Sequence, residues 1–312
     1  MTQSTQATEP KESTEPKEST EPTESMVTEV LAALDLPAGA TVEPAGGATG
    51  ETWKVWHDGT PYALRCVVPR PGVSGRFAAQ LAAMRAAGSA GLPVPRVVRQ
   101  ARTPRFEVAV ISWLPGLTVA DALRSGHRSA YRLGELMGAA QRALHRVPAP
   151  AEVADAVDDG AAAPAGLDGA GRSGALLHLD WHPLNVLVDG DEVSGIVDWV
   201  NARRGHPLLD VARTYALFTV DPALGALSPA ERDLLAEIAA GWAAGYGPEA
   251  ASIPADCLRW AGQMMLADLA GRYAGDPDAL EPLRRWTSGW ADQAGAEAAA
   301  ATSGRPGDRS AG

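Results

Sequence analysis

Apolar residues recur at two different spacings along this chain, and the change from one to the other divides it. From Met26 a short helical run, VTEVLAAL, leads into alternating segments separated by turn residues, TVEPAGGATGETWKVWHDGTPYALRCV. Gly46, Gly47 and Gly50 fall between two predicted strands and Asp58-Gly59 marks a second hairpin turn, so three antiparallel strands are expected. Ser74 is placed to cap a helix over GRFAAQLAAMRAAG, and VPRVVRQA with RFEVAVISWL supplies a further strand pair. After Pro115-Gly116 the strand signals nearly vanish. SAYRLGELMGAAQRALHRV sets Leu133, Leu136, Ala140, Leu144 and Val147 on one helical face. SPAERDLLAEIAAGWAAGY opens like a capping box with Pro at the first helical position, and two more helices are expected over 254–273 and 276–300. The one hairpin expected in the helical part joins Val186–Val188 to Val193–Val197 through Asp189-Gly190. The pattern predicts an α+β chain, a small sheet-rich lobe over 26–114 and a larger helical lobe over 115–300.

Both ends break the pattern. Residues 8–25 are three near-copies of a six-residue unit, TEPKES, TEPKES and TEPTES, with a Pro in each and nothing apolar to bury. Residues 1–25 and 301–312 are expected to be disordered tails. The repeat carries −4 of the formal −11 charge. That acidic balance argues against a nucleic-acid partner, which would need a clustered basic face. No run of 18 apolar residues occurs and the N-terminus does not read as an export signal, so a cytoplasmic protein without a membrane partner is expected. Cys66 and Cys257 stand far apart in no metal or redox spacing, as in a reducing compartment.

The hairpin is where the polar residues concentrate. It lies in LLHLDWHPLNVLVDGDEVSGIVDW, residues 176–199. If Val188 pairs with Val193, Asn185 lies opposite Ile196 and Asp198 emerges beside it, so two hard oxygen ligands suited to Mg²⁺ meet at the open end. Asp180, five residues before Asn185, can point into the same space. A metal-holding carboxylate and a proton-accepting one are the minimum for moving a phosphoryl group to a hydroxyl. His178 and His182 more simply brace the loop, although His178-x-Asp180-x-His182 also permits a metal-dependent hydrolase. His57, His127, His145 and His206 have no comparable context.

At His178-x-Asp180-x-His182-Pro183-x-Asn185, Ile196-Val197-Asp198-Trp199, Gly205 and Asp210, the chain resembles the aminoglycoside phosphotransferase and choline kinase family. These are small-molecule kinases with a protein-kinase-like two-lobed fold, a small antiparallel-sheet N-lobe and a larger, mainly helical C-lobe. The resemblance runs from about Thr41 to Tyr215. It implies Asp180 as the catalytic aspartate, Asn185 and Asp198 as magnesium ligands, and Asp210 as the anchor of the catalytic loop. HLDWHPLN stands where many relatives read HGDLHPGN, so Leu179 and Leu184 replace glycines, and Gly205-His206-Pro207 stands where Gly-Asp-Pro is common.

ATP phosphates need positive charge and backbone N–H groups. Gly46 and Gly47, in GGATGE, are candidates to cover them. By the resemblance, Arg65 takes the place of the strand cation, with Gln80 where a glutamate often steadies it. Ser112 and Trp113, ahead of Pro115-Gly116, look like the hinge whose backbone holds adenine. Lys54 alternates with Trp53 and Val55 and reads as solvated. Only eleven residues separate Asp198 from Asp210, too few for a peptide platform, so a small-molecule acceptor is expected. Trp260, Tyr273, Trp286 and Trp290, with Asp268, Asp276 and Asp278, could hold an ammonium or an apolar antibiotic, and their spacing also suits a helical core. An ATP- and Mg²⁺-dependent phosphotransferase is the leading reading; the alternative is a catalytically silent kinase-fold binding module.

Overall fold

The computed structural model describes residues 24–37, 40–44, 52–69, 75–126, 128–157, 164, 167 and 174–303. The GGATGE segment with Gly46 and Gly47, Ser74, His127, most of the repeat tail and the last nine residues lie outside them. Two compact units are distinguished, the first comprising 1–68 and 99–110, the second 69–98 and 111–312.

The first unit holds α1 (Glu24–Ala33), β1 (Thr41–Pro44), β2 (Thr52–His57), β3 (Thr60–Val67) and most of β4 (Val97–Arg102) and β5 (Glu107–Ser112). They form one sheet in the order β1-β2-β3-β5-β4. Alternation along β2 buries Trp53 and Val55 on the face that also carries Leu64, Cys66, Val108 and Val110, and Val30 of α1 with Leu34 of the turn after it covers that face. Each of these side chains contributes roughly 1.5–3 kcal/mol by leaving water. The turn between β2 and β3 uses Asp58 and Gly59, both at positive φ (49° and 72°), as a two-residue hairpin loop requires. Lys54 lies over the Trp56 ring at 4.6 Å.

The second unit is mainly helical. Its helices are α2 (Arg76–Ser89), α3 (Val119–Arg124), α4 (Ala130–Leu144), α5 (Pro207–Thr219), α6 (Pro229–Tyr246), α7 (Ala255–Leu269) and α8 (Glu281–Ser303). Ser228 and Glu231 form the expected capping box at the start of α6. The helical part holds more strand than the apolar pattern foretold. Besides the hairpin of β8 (Val186–Asp189) and β9 (Glu192–Ile196), β6 (Leu117–Thr118) pairs with β8, and β7 (Ala175–Leu177) pairs with β10 (Arg203–Gly205). Strands of two or three residues carry no periodic signal to read. β7, α5, α7 and α8 enclose a core that includes Leu177, Leu209, Ala212, Leu258, Met265 and Leu283, with Trp260, Trp286 and Trp290 half-buried against it. No helix among the described residues is long and apolar enough to cross a membrane.

The buried face of α4 differs from the one read from its leucines. Leu136 and Ala140 are only half-buried, whereas Gly134, Met137, Gly138 and Gln141 join Leu133 and Leu144 inside. Glycines explain the rotation. Those of α4 meet Gly241 and Gly245 of α6, and a Cβ at Gly134 or Gly138 would lie 2.1 Å from the carbonyl oxygen of Ile238 or Trp242. A Cβ at Gly241 would lie 2.0 Å from the Tyr131 oxygen. Backbone packs directly on backbone here, so neither helix can carry any side chain at these points. Gly138→Ala and Gly241→Ala are expected to cost about 3 kcal/mol or more each in urea denaturation, the upper end of overpacking. Gly289→Ala, at an exposed position of α8 with nothing near its Cβ, is expected to stabilise by roughly 0.5–1 kcal/mol through helix propensity.

Candidate active site

The hairpin contains one residue more than a regular ladder. β8 and β9 pair through Asp189↔Glu192 and Val188↔Val193, then slip, so that Leu187 faces Gly195 and Val186 faces Ile196. Ser194 is the extra residue of a β-bulge, and the turn is Gly190-Asp191 rather than Asp189-Gly190. Asn185 therefore meets Val197, not Ile196, and its carbonyl accepts the Val197 N–H at 2.9 Å. This correction brings Asp198 to the position just beyond Asn185's partner. Neighbouring residues hold the bulge in place. Ser194 Oγ donates to the Pro115 carbonyl at 2.8 Å, and Gly116 (φ 98°) leaves the necessary room, since a Cβ there would lie 2.4 Å from Ser194 Oγ and 2.5 Å from Val188 O. Asp198 itself adopts a left-handed conformation (φ 61°, ψ 67°) that few non-glycine residues tolerate.

The loop ahead of the hairpin is shaped from α5. His206 caps that helix, its Nδ1 accepting the Leu208 N–H at 3.2 Å, and burial, which disfavours the imidazolium, suits it to accept. Pro207 follows in the first turn, and these two fix where Asp210 emerges. Asp210 is fully buried. Its Oδ2 accepts the His178 N–H at 2.8 Å and meets His145 Nε2 at 3.0 Å, and its Oδ1 accepts the Leu179 N–H at 2.9 Å. Burial alone would raise its pKa, but the bond and charge of His145, joined by His178, outweigh it and hold the carboxyl below its ordinary value.

Leu179 is completely buried at φ 58°. A leucine is carried here through left-handed backbone that glycine adopts freely, at a cost of roughly 1–2 kcal/mol. The Asp210 bond and the burial of the side chain offset that strain. Leu184, the other leucine set against glycine by the resemblance, has no positive φ and its side chain is exposed. His178, wholly buried, places Nε2 2.9 Å from the Val197 carbonyl, with its ring edge-on to Trp181 and Trp199. The start of the loop is thereby tied to the open end of the hairpin.

Asp180 and Asn185 meet within this frame. Asn185 Nδ2 lies 2.9 Å from the Asp180 carbonyl and 3.2 Å from Asp180 Oδ2, which directs its amide oxygen away from the loop. His182 Nε2 is 3.1 Å from the same amide nitrogen and 3.6 Å from Asp180 Oδ1. Burial would raise Asp180, but the bond and charge of His182, with the charges of His178 and Arg213, hold it below the ordinary carboxylate value. Of the remaining sequence candidates, Arg65 is buried on β3 opposite Thr52 in the first unit. Ser112 and Trp113 follow the point, after Val110, where the chain passes into the second unit; Ser112 Oγ accepts the Arg96 N–H at 2.9 Å and Trp113 is exposed.

The sequence profile of the phosphotransferase enzyme family matches residues 41–163 and 152–253. The chain belongs to that family. It is a small-molecule kinase, and its fold is protein-kinase-like, with a small antiparallel sheet and a larger helical unit. Solved structures of similar fold include aminoglycoside phosphotransferase APH(4)-Ia in ternary complex with ADP and hygromycin B, 15% identical over 86% of this chain and 97% of that one at a TM-score of 0.53. A microcompartment-associated aminopropanol kinase is 15% identical over 88% and 98%, TM-score 0.58. An aminoglycoside-3'-phosphotransferase of type VIII is 19% identical over 77% and 97%, TM-score 0.50. At such identities the likeness is one of fold. No curated protein is similar enough to count as a relative.

Two residues of this phosphotransferase's site escaped the sequence reading. His145 ends α4, and its partner Asp210 is 65 residues away, so nothing local announces the pair. Arg213, one turn after Asp210, is a buried cation whose Nη2 lies 2.6 Å from Asp268 Oδ2, while Nε and Nη1 have no hydrogen-bond partner among the described residues. An arginine inside the apolar run LLDVARTYAL was the available signal.

Leu179→Ala keeps the strain and loses the burial, so it is expected to cost about 2–5 kcal/mol. Leu179→Gly relieves the strain and is expected to be the more stable variant of the two in urea titrations, reversing the usual order. Arg213→Met should alter folding stability by no more than about 1 kcal/mol, since an incompletely satisfied buried ion is replaced by an apolar residue of similar size and the Asp268 carboxylate it leaves is 40% exposed to water. The same change removes a positive charge that acts on Asp180 and should lower the initial rate of ADP formation.

Proposed function

We propose that this kinase moves the γ-phosphate of ATP, with Mg²⁺, to a hydroxyl of a small molecule in the cytosol. The observation that carries the reading is the contact between Asn185 and Asp180 on a loop pinned by Asp210, beside a bulged hairpin that brings Asp198 to its open end. In this reading residues 26–114 form the nucleotide-binding lobe and 115–300 the catalytic and acceptor lobe, flanked by the two tails.

Asp180, held below the ordinary carboxylate range, is ionised at neutral pH and able to accept a proton. It orients the acceptor hydroxyl and takes its proton as the oxygen bonds to the γ-phosphorus and the bond to the β-phosphate bridging oxygen breaks, releasing ADP. The donor set fits Mg²⁺: the amide oxygen of Asn185 and the carboxylate of Asp198 are two hard oxygens, and this ion commonly keeps waters and phosphate oxygens as the rest of its shell. Bound there, Mg²⁺ would neutralise charge on the phosphates. Arg65 offsets more of that charge, Gly46 and Gly47 cover the phosphates, and backbone groups of Ser112 and Trp113 receive the adenine. His178 and His182 steady the loop.

Acceptors worth testing are an aminoglycoside, a macrolide and an amino alcohol. Hygromycin B and aminopropanol belong to the structural neighbours. Of the acids on the C-terminal helices, Asp268 is engaged by Arg213 while Asp276 and Asp278 are exposed. Leu184 and Val200, exposed near Asp180 and Asp198 in sequence, favour an acceptor with an apolar body. Two buried cysteines outside any disulfide accord with the cytosol.

Asp180→Ala is expected to lower acceptor-dependent ADP formation by about 10²–10⁴-fold while preserving the thermal shift produced by Mg-ATP. Unchanged turnover would remove Asp180 from its role, and wild-type protein that Mg-ATP does not stabilise at all would count against the whole reading.

A further inference from the structure

Asp210 is the end of a longer buried chain. Tyr246 on α6 places its hydroxyl 2.7 Å from His145 Nδ1, and His145 Nε2 meets Asp210 Oδ2 at 3.0 Å. One turn away on each of the same three helices runs a second chain. Trp242 Nε1 donates to Gln141 Oε1 at 2.7 Å, Gln141 Nε2 donates to Thr214 Oγ1 at 2.8 Å, and that hydroxyl donates to the Asp210 carbonyl at 2.9 Å. Trp242 and Tyr246, Gln141 and His145, Asp210 and Thr214 are each four residues apart, so α6, α4 and α5 are joined by two parallel polar rungs. His145, Gln141, Asp210 and Thr214 have almost no exposed side-chain surface. Between α4 and α6 the rungs sit beside the glycine contacts, which allow no sliding.

We infer that Tyr246 and His145 are positioning residues for phosphoryl transfer, holding the Asp210 carboxylate so that it in turn holds the left-handed Leu179 and aims Asp180. Asp210 accepts from two backbone N–H groups and is ionised, so His145 Nε2 carries the hydrogen between ring and carboxylate, and the other ring nitrogen meets the Tyr246 hydroxyl. Burial and the Asp210 charge push the Tyr246 phenol up, so it keeps its proton. With this rung removed, the carboxylate would retain its two backbone partners but lose the side-chain bond that fixes its rotamer. Leu179 would then be free to leave a conformation it does not favour. The second rung ends on a main-chain carbonyl and sets helix register without touching the loop.

The inference rests on the proposed role of Asp180, so its test has one arm that does not need turnover. Hydrogen–deuterium exchange of the full chain follows the amides of His178 and Leu179, and initial rates of ADP release from Mg-ATP, with water as acceptor, follow catalysis. His145→Leu is expected to speed exchange of these amides by about 10-fold or more and to lower kcat about 10-fold with KM for ATP within about threefold of wild type. Tyr246→Phe, which removes one oxygen, should show the same pattern more weakly. His145→Gln, which can still present an N–H to Asp210, should recover both readouts to within about threefold of wild type. A folded His145→Leu with wild-type exchange would overturn the inference. So would a Gln variant as impaired as the Leu variant, since the effect would then be packing of the ring. If wild-type protein releases no ADP with water, an aminoglycoside, a macrolide or an amino alcohol while the exchange results hold, the rung stands and the proposed reaction falls.

Discussion

The carboxylate of Asp210 is the interaction on which the site depends. Placing a charge in a fully buried position is costly unless it is hydrogen-bonded, and here two backbone N–H groups and a histidine ring bond both carboxylate oxygens. The arrangement turns that cost to use. A carboxylate that must be satisfied can accept only a loop that presents its N–H groups correctly, so the loop conformation becomes a condition of folding α5 at all.

What the anchor secures is local strain. Leu179 and Asp198, the residues before Asp180 and after Val197, both occupy left-handed backbone that their side chains disfavour. Neither would hold alone. The His178 ring joins the two places by bonding the Val197 carbonyl from the loop side. Strain of this kind fixes a side chain more tightly than relaxed backbone can, because the surrounding contacts over-determine it. Asp180 and Asp198 thus owe their positions to neighbours that do no chemistry themselves.

The sequence made the loop around Asp180 legible because its polar residues are close together and chemically distinctive. The hairpin, the capping box at Ser228 and the division into sheet and helix followed from spacing alone. The bulge did not, since Ser194 looks like any polar strand residue, and only the contact with Pro115 and Gly116 explains it. The buried stripe of α4 was misplaced because glycine has no hydropathy to declare, and Gly134 and Gly138 matter through the backbone they admit. His145 and Arg213 were missed for another reason. Each is defined by a partner far away in the chain, Asp210 and Asp268, and no local pattern encodes a distant pairing. A leucine at residue 179 also concealed the backbone state that glycine would have advertised.

The bulge at Ser194 separates the two ends of the hairpin mechanically. A strand has a period of two residues, so one residue added or removed between Ser194 and Asp198 would turn the aspartate to the opposite face of the ribbon. Changes at the Gly190-Asp191 tip lie on the far side of the pinned residue and do not carry that phase error to the Asp198 end. Nature or an engineer can therefore lengthen or decorate the tip at no more than the loss of the Arg128–Asp191 ion pair, whereas the few residues leading out of the bulge behave as a gear whose teeth cannot be recounted.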